Sequence, residues 1–515
     1  MAEAPGDDTG ARRSAVIDLG SNSFRLVVFT AAPGAWWRRT DEIFEPVRIG
    51  AGMGKSGRLT AKRMSRALTT IETYAHYLRA SGIPPADVQA VATSAIRDAA
   101  NRDEFLACAR EASGLDVRVL SPAEEARYGY LAAINSTTLS DGAVLDLGGG
   151  SLQLVGVRDR LAADVGSWPL GTIRMTERCL DDKPATKKQL KAVRARVREE
   201  LESARWVGTG GPRLVGIGGT VRNLAAAAQR RAELPSFGVQ GYVLDREALG
   251  ALIADLAALP AAERGSVPGI KPERGDVILA GATVIDAALE AAGYEAIEVT
   301  EAGLREGVFF DGHLAPAEPR LFPDVRAASV RNLAAQYHAD APHVLHVVSL
   351  CLGLFDALAA GGVHPGDESE RELLWAAAML HDIGMTVDYD DHHKHSRYLI
   401  LNAGLPGYSP REVALISLMA QYHRKGAPGF GELSALMGDG DDARLDRRSA
   451  LLRLAEQLER ARDQVVRETR VDVHDGSVEL ELVSGGDTGI AQWAAERQAD
   501  LFERAFGRRL EVTAG

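Results

Sequence analysis

Asp18 and Asp146 stand in nearly the same phrase. AVIDLGSNSFRLVVF covers residues 15–29 and AVLDLGGGSLQLVGV covers residues 143–157, with eight of fifteen positions identical at an offset of 128. Each aspartate precedes a run of small residues: Gly20, Ser21, Asn22 and Ser23 in the first copy, Gly148, Gly149, Gly150 and Ser151 in the second. Glycine permits positive φ and lets a ligand approach the amides closely. Successive backbone N–H groups in such a turn form a concavity for an anion. Ser21, Ser23 and Ser151 add hydroxyl donors. A carboxylate cannot hold an anion itself, but Asp18 and Asp146 are placed to hold Mg²⁺ (or Mn²⁺) beside phosphate. One copy alone could be an ordinary glycine-containing hairpin. Two copies suggest facing loops that grip a phosphate chain from both sides.

The elements that must carry these residues follow from apolar patterning. Val16 and Ile17 lead into the first turn and Leu26 to Val28 lead out; Val144 and Leu145, then Leu152, Leu154 and Val155, do the same for the second. Each copy therefore reads as strand, turn, strand. A repeated hairpin at the start of two strand-rich segments implies two similar α/β lobes with a cleft between them. VATSAIRDAANRDEF begins as a strand and passes into a helix, with Arg97 just after the strand. Its guanidinium could clamp phosphate oxygens or form a surface pair with Asp98 or Asp103. In VRVLSPAEEARYGYLAAI a strand ends at Ser121 and Pro122 opens a helix. Glu124 and Glu125 suit that helix's first turn for dipole reasons alone. RLVGIGGTVRNLAAAA is strand, glycine turn, helix, and Gly218, Gly219 and Thr220 open a helix whose N-terminus can receive an anion.

Bulk properties narrow the partners. The 515 residues carry a net charge of −12, which argues against a general nucleic-acid or membrane-surface binder. A local basic patch could still draw in a polyanion; the run Lys183, Lys187, Lys188, Lys191, Arg194, Arg196, Arg198 and Arg205 is a candidate, or one solvated helix face. Cys108, Cys179 and Cys351 form no disulfide framework, and no signal-peptide pattern opens the chain. A reducing, cytoplasmic setting with no membrane partner is expected.

DLGSNSFRL, DLGGGSLQL, VGIGGTVRNLAA and GLREGV together resemble the exopolyphosphatase and guanosine-pentaphosphate phosphatase (Ppx/GppA) family, in its long form. The resemblance implies a duplicated actin-like, sugar-kinase-like (ribonuclease H-like) α/β fold, then an all-α HD-like domain and a small α/β cap. The expected limits are a disordered N-terminus over 1–13, lobe I over 14–132, lobe II over 133–312, the helical domain over 313–468 and the cap over 469–515. The resemblance implies that Glu125, the second glutamate of EEA, is the catalytic carboxylate that activates water. It places Arg305 near the cleft, although a helix-surface charge would read the same. It also implies a homodimer.

Beyond the prolines at 316, 319 and 323 the pattern turns helical, and His343, His346, His381, His392, His393, His395 and His423 accumulate. His381-Asp382 after an apolar helix, with His343 upstream, resembles the HD phosphohydrolase domain. That resemblance implies a second metal held by His343, His381, Asp382 and Glu456, the last standing where aspartate is expected. The alternative is a structural role, with HHKHS and YHRK as positive edges of a polyanion channel. In the tail, Trp493 and Phe502 are expected in the core.

The leading functional reading is hydrolysis of terminal phosphoanhydride bonds of inorganic polyphosphate with Mg²⁺. Guanosine pentaphosphate is the alternative substrate. A kinase of the same fold or a non-catalytic polyphosphate or alarmone sensor are the further readings.

Overall fold

The computed structural model describes residues 10–32, 34–53 and 56–514. The repeated phrase folds as two β-hairpins, each at the centre of its own sheet. In the first, β1 (Arg12–Leu19) pairs antiparallel with β2 (Phe24–Ala32), which pairs with β3 (Trp36–Glu45). β4 (Val88–Ala92) and β5 (Val117–Val119) extend the sheet in parallel beyond β1, giving the order 3-2-1-4-5. In the second, β6 (Gly142–Leu147), β7 (Leu152–Arg158) and β8 (Leu161–Trp168) repeat the antiparallel part. β9 (Arg213–Ile217) runs parallel to β6; β10 (Tyr242–Asp245) closes the edge antiparallel to β11 (Ala296–Val299), which is parallel to β9. Apart from β10, the two sheets have one topology, that of the two lobes of an actin-like fold. Asp18 and Asp146 are each the penultimate residue of the central strand, where open α/β sheets bind ligands.

Strands buried on both faces explain the near-continuous apolar runs. Ile17, Leu19 and Leu26 face a core with α1 (Ala61–Ala80) and α3 (Arg102–Ser113), which follows the short α2 (Ser94–Arg97). Their neighbours Val16 and Val27 face a second core shared with Val144 and Val155 of the other sheet. That shared core is built on α4 (Pro122–Ile134), through Leu131 and Ile134, and continues to Val308 and Phe309 near the end of the second lobe. Leu145 and Leu154 face a third core. It is covered by the helices of the second lobe: α5 (Thr172–Cys179), α6 (Lys187–Leu201), α7 (Gly219–Arg231), α8 (Arg246–Ala258) and α9 (Gly275–Ala292). α10 (Leu304–His313) carries Val308 and Phe309 and completes the unit.

The chain divides into two compact units after Val325. The expected boundary after 312 falls too early. Phe310 meets Phe322 edge to face, and Asn135 holds the segment by bonds with Arg320 and Phe322, so residues 313–325 belong to the lobes. At the other end, 1–9 of the expected disordered segment lies outside the described residues, and Arg12 and Arg13 already belong to β1.

From Arg326 on, the second unit comprises the rest of α11 (Val325–Gln336), then α12 (Ala341–Ala360), α13 (Glu368–Leu380), α14 (His392–Ala403), α15 (Pro410–Tyr422) and α16 (Asp441–Leu458). A sheet of β12 (Val466–His474), β13 (Ser477–Ser484) and β14 (Arg509–Ala514) follows, with α17 (Gly489–Glu496) and α18 (Ala499–Phe506) between its last two strands. β12 pairs antiparallel with β13, but β14 is parallel to it. Val466, Val478, Leu480 and Phe502 join one core with Cys351, Leu415 and Leu451, so the expected cap is a continuation of the helical core. α12 is long and apolar enough to cross a membrane by length and composition, yet its Val347, Cys351 and Leu354 lie in that core. Phe502 is buried as expected. Trp493 is 57% exposed, with Arg497 over its ring, which corrects its assignment to the core.

Candidate active site

The twin turns close alike. Gly20 N–H donates to Ser23 O at 3.2 Å, and Gly148 N–H donates to Ser151 O at 3.0 Å. Gly20, Gly148, Gly149 and Gly150 are absent from the positive-φ positions, so the expected backbone reason for glycine fails there. The reason is space. A Cβ on Gly149 would lie 3.0 Å from Ser21 Cβ, and one on Gly150 would lie 2.4 Å from Ser94 Oγ. The second turn thus presses against the first lobe. Gly218 does need its conformation: it has φ +96° at the start of α7, beside Asp146 Oδ1.

A cavity of about 120 Å³ lies between the turns. It collects Asp18, Gly20, Ser21, Asn22, Ser23, Glu125, Asp146, Gly148, Gly149, Gly218, Gly219 and Arg305 from the residues read in the sequence. Four of the expected phosphate contacts are not in its wall. Gly150 lines a neighbouring cavity of about 540 Å³. Ser151 is buried and its hydroxyl accepts from Gln153 Nε2 at 2.8 Å. Thr220 is buried against Gly281 of α9. Arg97 points its Nη1 at Glu125 Oε2, 2.7 Å away, and at Leu120 O, 3.0 Å away. Its pair with Asp98 is longer, at 3.6 Å, while Asp103 pairs with Arg102. Arg97 therefore positions the glutamate. The Ser21 hydroxyl likewise accepts from Ala95 N–H at 3.2 Å and lies 3.0 Å from Ser94 Oγ, which seats α2 against the turn.

The start of α4 separates its two glutamates. Ser121 and Glu124 form a reciprocal capping box: Glu124 N–H donates to Ser121 Oγ and Ser121 N–H donates to Glu124 Oε2. Arg118 holds the other Glu124 oxygen at 2.7 Å. Pro122 fits the first helical position and leaves this cap intact. Glu125, one residue on, turns into the cavity and is 6% exposed.

Three carboxylates share this space, and burial raises all of them. Burial lifts Glu125 above the usual range against the hydrogen bond from Arg97. Burial also lifts Asp18, opposed by Arg305 at 3.5 Å. Asp146 is pushed up to about 7 by burial, then by the Glu125 and Asp18 charges. Buried acids that repel one another are a fitting ligand set for a hard divalent cation, and Asp18 and Asp146 are the residues that could hold Mg²⁺.

Arg25, Arg222 and Arg274 also line the cavity with Arg305, as do Thr93 and Ser94. Sequence reasoning missed these three arginines. Arg25 lies inside the quoted SNSFRL and pairs with Glu42; Arg222 lies inside GGTVRNL, and its Nη1 donates to Glu301 O at 2.6 Å. Both could have been found by asking which motif residues share the face of Asp18 and Gly218. Arg274, against Gly219, carried no such signal. Burial, with a smaller push from neighbouring guanidiniums, lowers Arg222 and Arg274 to about 10. Crowded buried cations call for an anion. In the basic run, Arg194 pairs with Asp286, Arg196 with Glu199 and Glu200, and Arg198 with Glu290, as a self-neutralised helix face would.

In the helical unit the four expected ligands do converge: His343 Nε2 lies 3.1 Å and His381 Nε2 3.3 Å from Glu456 Oε2, and both are 3.7 Å from Asp382. His392 and His423, read as edges of a channel, are buried beside Asp382. These buried histidine and aspartate groups could bind metal.

Two actin-like lobes with acids, turn amides and arginines around one cleft define a phosphate-handling enzyme class. The particular family follows from comparison. The Ppx/GppA phosphatase family matches residues 39–315, more than half of the chain, and domain III of that family matches residues 325–498. The chain belongs to the Ppx/GppA phosphatase family of hydrolases. A Ppx/GppA member from Aquifex aeolicus is 30% identical, with 59% of this chain and 99% of that one covered and a TM-score of 0.52. An exopolyphosphatase from Cytophaga hutchinsonii shares the fold at 23% identity, with 59% and 98% covered and a TM-score of 0.54.

Proposed function

We propose that this protein is an exopolyphosphatase that releases phosphate from the end of inorganic polyphosphate by Mg²⁺-supported hydrolysis. One observation carries the reading: Glu125, Asp18, Asp146, the glycine turns and four arginines line a single cavity. Water attacks the terminal phosphorus, the phosphoanhydride P–O bond breaks, and the shortened chain leaves with its oxygen. Glu125 takes the proton of the attacking water. Arg97 holds that carboxylate in place and offsets part of the burial that favours its protonated form. Glu125's raised proton affinity suits it to the task, because a base works best with a pKa near the working pH. Amides of the turns and Arg25, Arg222, Arg274 and Arg305 receive the phosphoryl oxygens and offset their charge. Bound at Asp18 and Asp146, Mg²⁺ would supply further charge neutralisation.

A second substrate is favoured by a specific feature. The larger cavity shares Ser21 and Gly149 with the first and offers Met53, Ala95 and Ile173 as apolar wall, with Arg174 and Arg178. A purine nucleoside would find a surface there, which supports guanosine pentaphosphate as the alternative. Parallel assays of phosphate release from long-chain polyphosphate and guanosine pentaphosphate, with no acceptor or nucleotide added, decide between them. Release from polyphosphate supports the proposal. Release from the nucleotide alone supports the alternative, and release from neither leaves only a binding role.

A further inference from the structure

The first phosphate turn is held from behind by a short loop. Arg48 N–H donates to Asn22 O at 2.8 Å, and Gly50 N–H donates to Ser21 O at 3.1 Å. In a planar trans peptide the C=O and the following N–H point opposite ways. The N–H groups of Asn22 and Ser23 are therefore turned away from residues 48–50, and both residues line the cavity. Arg48 makes its bond with φ +54°, a left-handed conformation uncommon outside glycine. A side chain stays in that region only where its surroundings hold it there, and such residues gather at functional sites.

The side chain of the same residue reaches across to the second lobe. Arg48 Nη1 donates to Asp276 Oδ2 at 2.7 Å; Nη2 donates to Asp276 Oδ1 at 3.2 Å and to Glu273 O at 3.0 Å. This is a two-pronged pairing with the first turn of α9, plus a bond to the backbone just before it. The Glu273 carbonyl belongs to the peptide unit that leads into Arg274. The N–H of that unit donates to Lys271 O at 2.9 Å, so the unit is fastened at both ends. Arg274 needs such fastening, because the four guanidiniums around the cavity repel one another. Glu42 holds Arg25, Glu301 O holds Arg222, and Asp18 lies 3.5 Å from Arg305. Arg274 is held through its backbone.

We propose that Arg48 is a positioning residue for phosphate binding, a role that rests on the reading of this cavity as the hydrolytic site. Its backbone aims the amides of the first turn, and its guanidinium keeps Arg274 in the opposite wall. One residue thereby sets the distance between an amide cradle in one lobe and a cation in the other. Lysine cannot do the same, since a single ammonium lacks the planar fork that spans both Asp276 oxygens and the Glu273 carbonyl.

The test uses the full chain with Mg²⁺ and long-chain polyphosphate. Arg48→Gly keeps the left-handed backbone accessible and removes only the side chain. Its KM should rise about 10-fold with kcat within about threefold of wild type, and Arg48→Lys should recover only part of the loss. Because Arg48 acts through Arg274, adding Arg48→Gly to Arg274→Met should raise KM by less than about twofold more. A general loss of structure would instead multiply the two effects. An Arg48→Gly enzyme with the wild-type KM, or effects that multiply, would overturn the role. If Arg48→Gly fails to fold, Asp276→Asn applies the same test more gently: KM should rise about threefold, and not further in the Arg274→Met background. An unchanged KM in Asp276→Asn would likewise count against the clamp. A wild-type chain that releases no phosphate would refute the hydrolytic reading rather than the role of Arg48. Calorimetry with inorganic tripolyphosphate then decides: about tenfold weaker binding by Arg48→Gly supports the role, and equal binding overturns it.

Discussion

The cleft of the lobes and the histidine cluster of the helical unit both gather buried acids, but they surround them differently. In the cleft, Asp18, Asp146 and Glu125 meet backbone amides and guanidiniums. Around Asp382 the neighbours are mostly imidazoles. Oxygen ligands beside anion-binding groups suit a hard cation with phosphate. Imidazoles suit a borderline transition ion. The two compact units thus gather different kinds of ligand around their buried acids.

The sharpest way to break this contrast is to disarm the cleft alone. Glu125→Gln keeps shape but removes basicity, so kcat should fall by roughly 10²–10⁴ with substrate binding retained. Steady-state kinetics and a binding assay check this; equal, small losses in Glu125→Gln and Glu124→Gln would refute the assignment of the base.

Gly150→Val tests the spatial account of the second turn. Its side chain would collide with Ser94 and Ser21. Activity should drop by about 10²-fold, with weaker phosphate affinity at any Mg²⁺ concentration. Ser94→Ala in the same chain should restore part of it by removing the nearest atom. A Gly150→Val enzyme with normal affinity would show that the turns need not meet.

Removing the positioning arginine should do less. Arg97→Ala leaves Glu125 without its guanidinium, so kcat should fall by about 10- to 100-fold while KM changes little. Arg222→Ala, which withdraws a cavity-lining cation, should chiefly raise KM. An inverted pattern would return Arg97 to the phosphate site.

The smallest effect belongs to the cap. Glu124→Gln keeps a neutral acceptor for Ser121 but loses the ion pair with Arg118, so thermal unfolding should show a loss of about 0.5 kcal/mol. A loss of several kcal/mol would mean that Glu124 supports more than the start of α4.

Much of the cleft was legible in the chain because local sequence and local structure coincide there. The hairpin phrase occurs twice, its strands alternate correctly for two buried faces, and each aspartate must then sit at a strand end. Helix periodicity likewise marked α12, α13, α15 and α16. Tertiary structure alone decided the rest. It turned Arg97 from phosphate to Glu125, spent Ser151 on Gln153, and brought Arg25, Arg222 and Arg274 from three separate segments to one wall. It also placed His392 and His423, 31 residues apart, with touching ring nitrogens. Periodicity reports which face of an element is buried; it carries no information about which distant polar side chain that face will meet. That choice is made by packing, through the cost of leaving a buried donor, acceptor or charge without a partner.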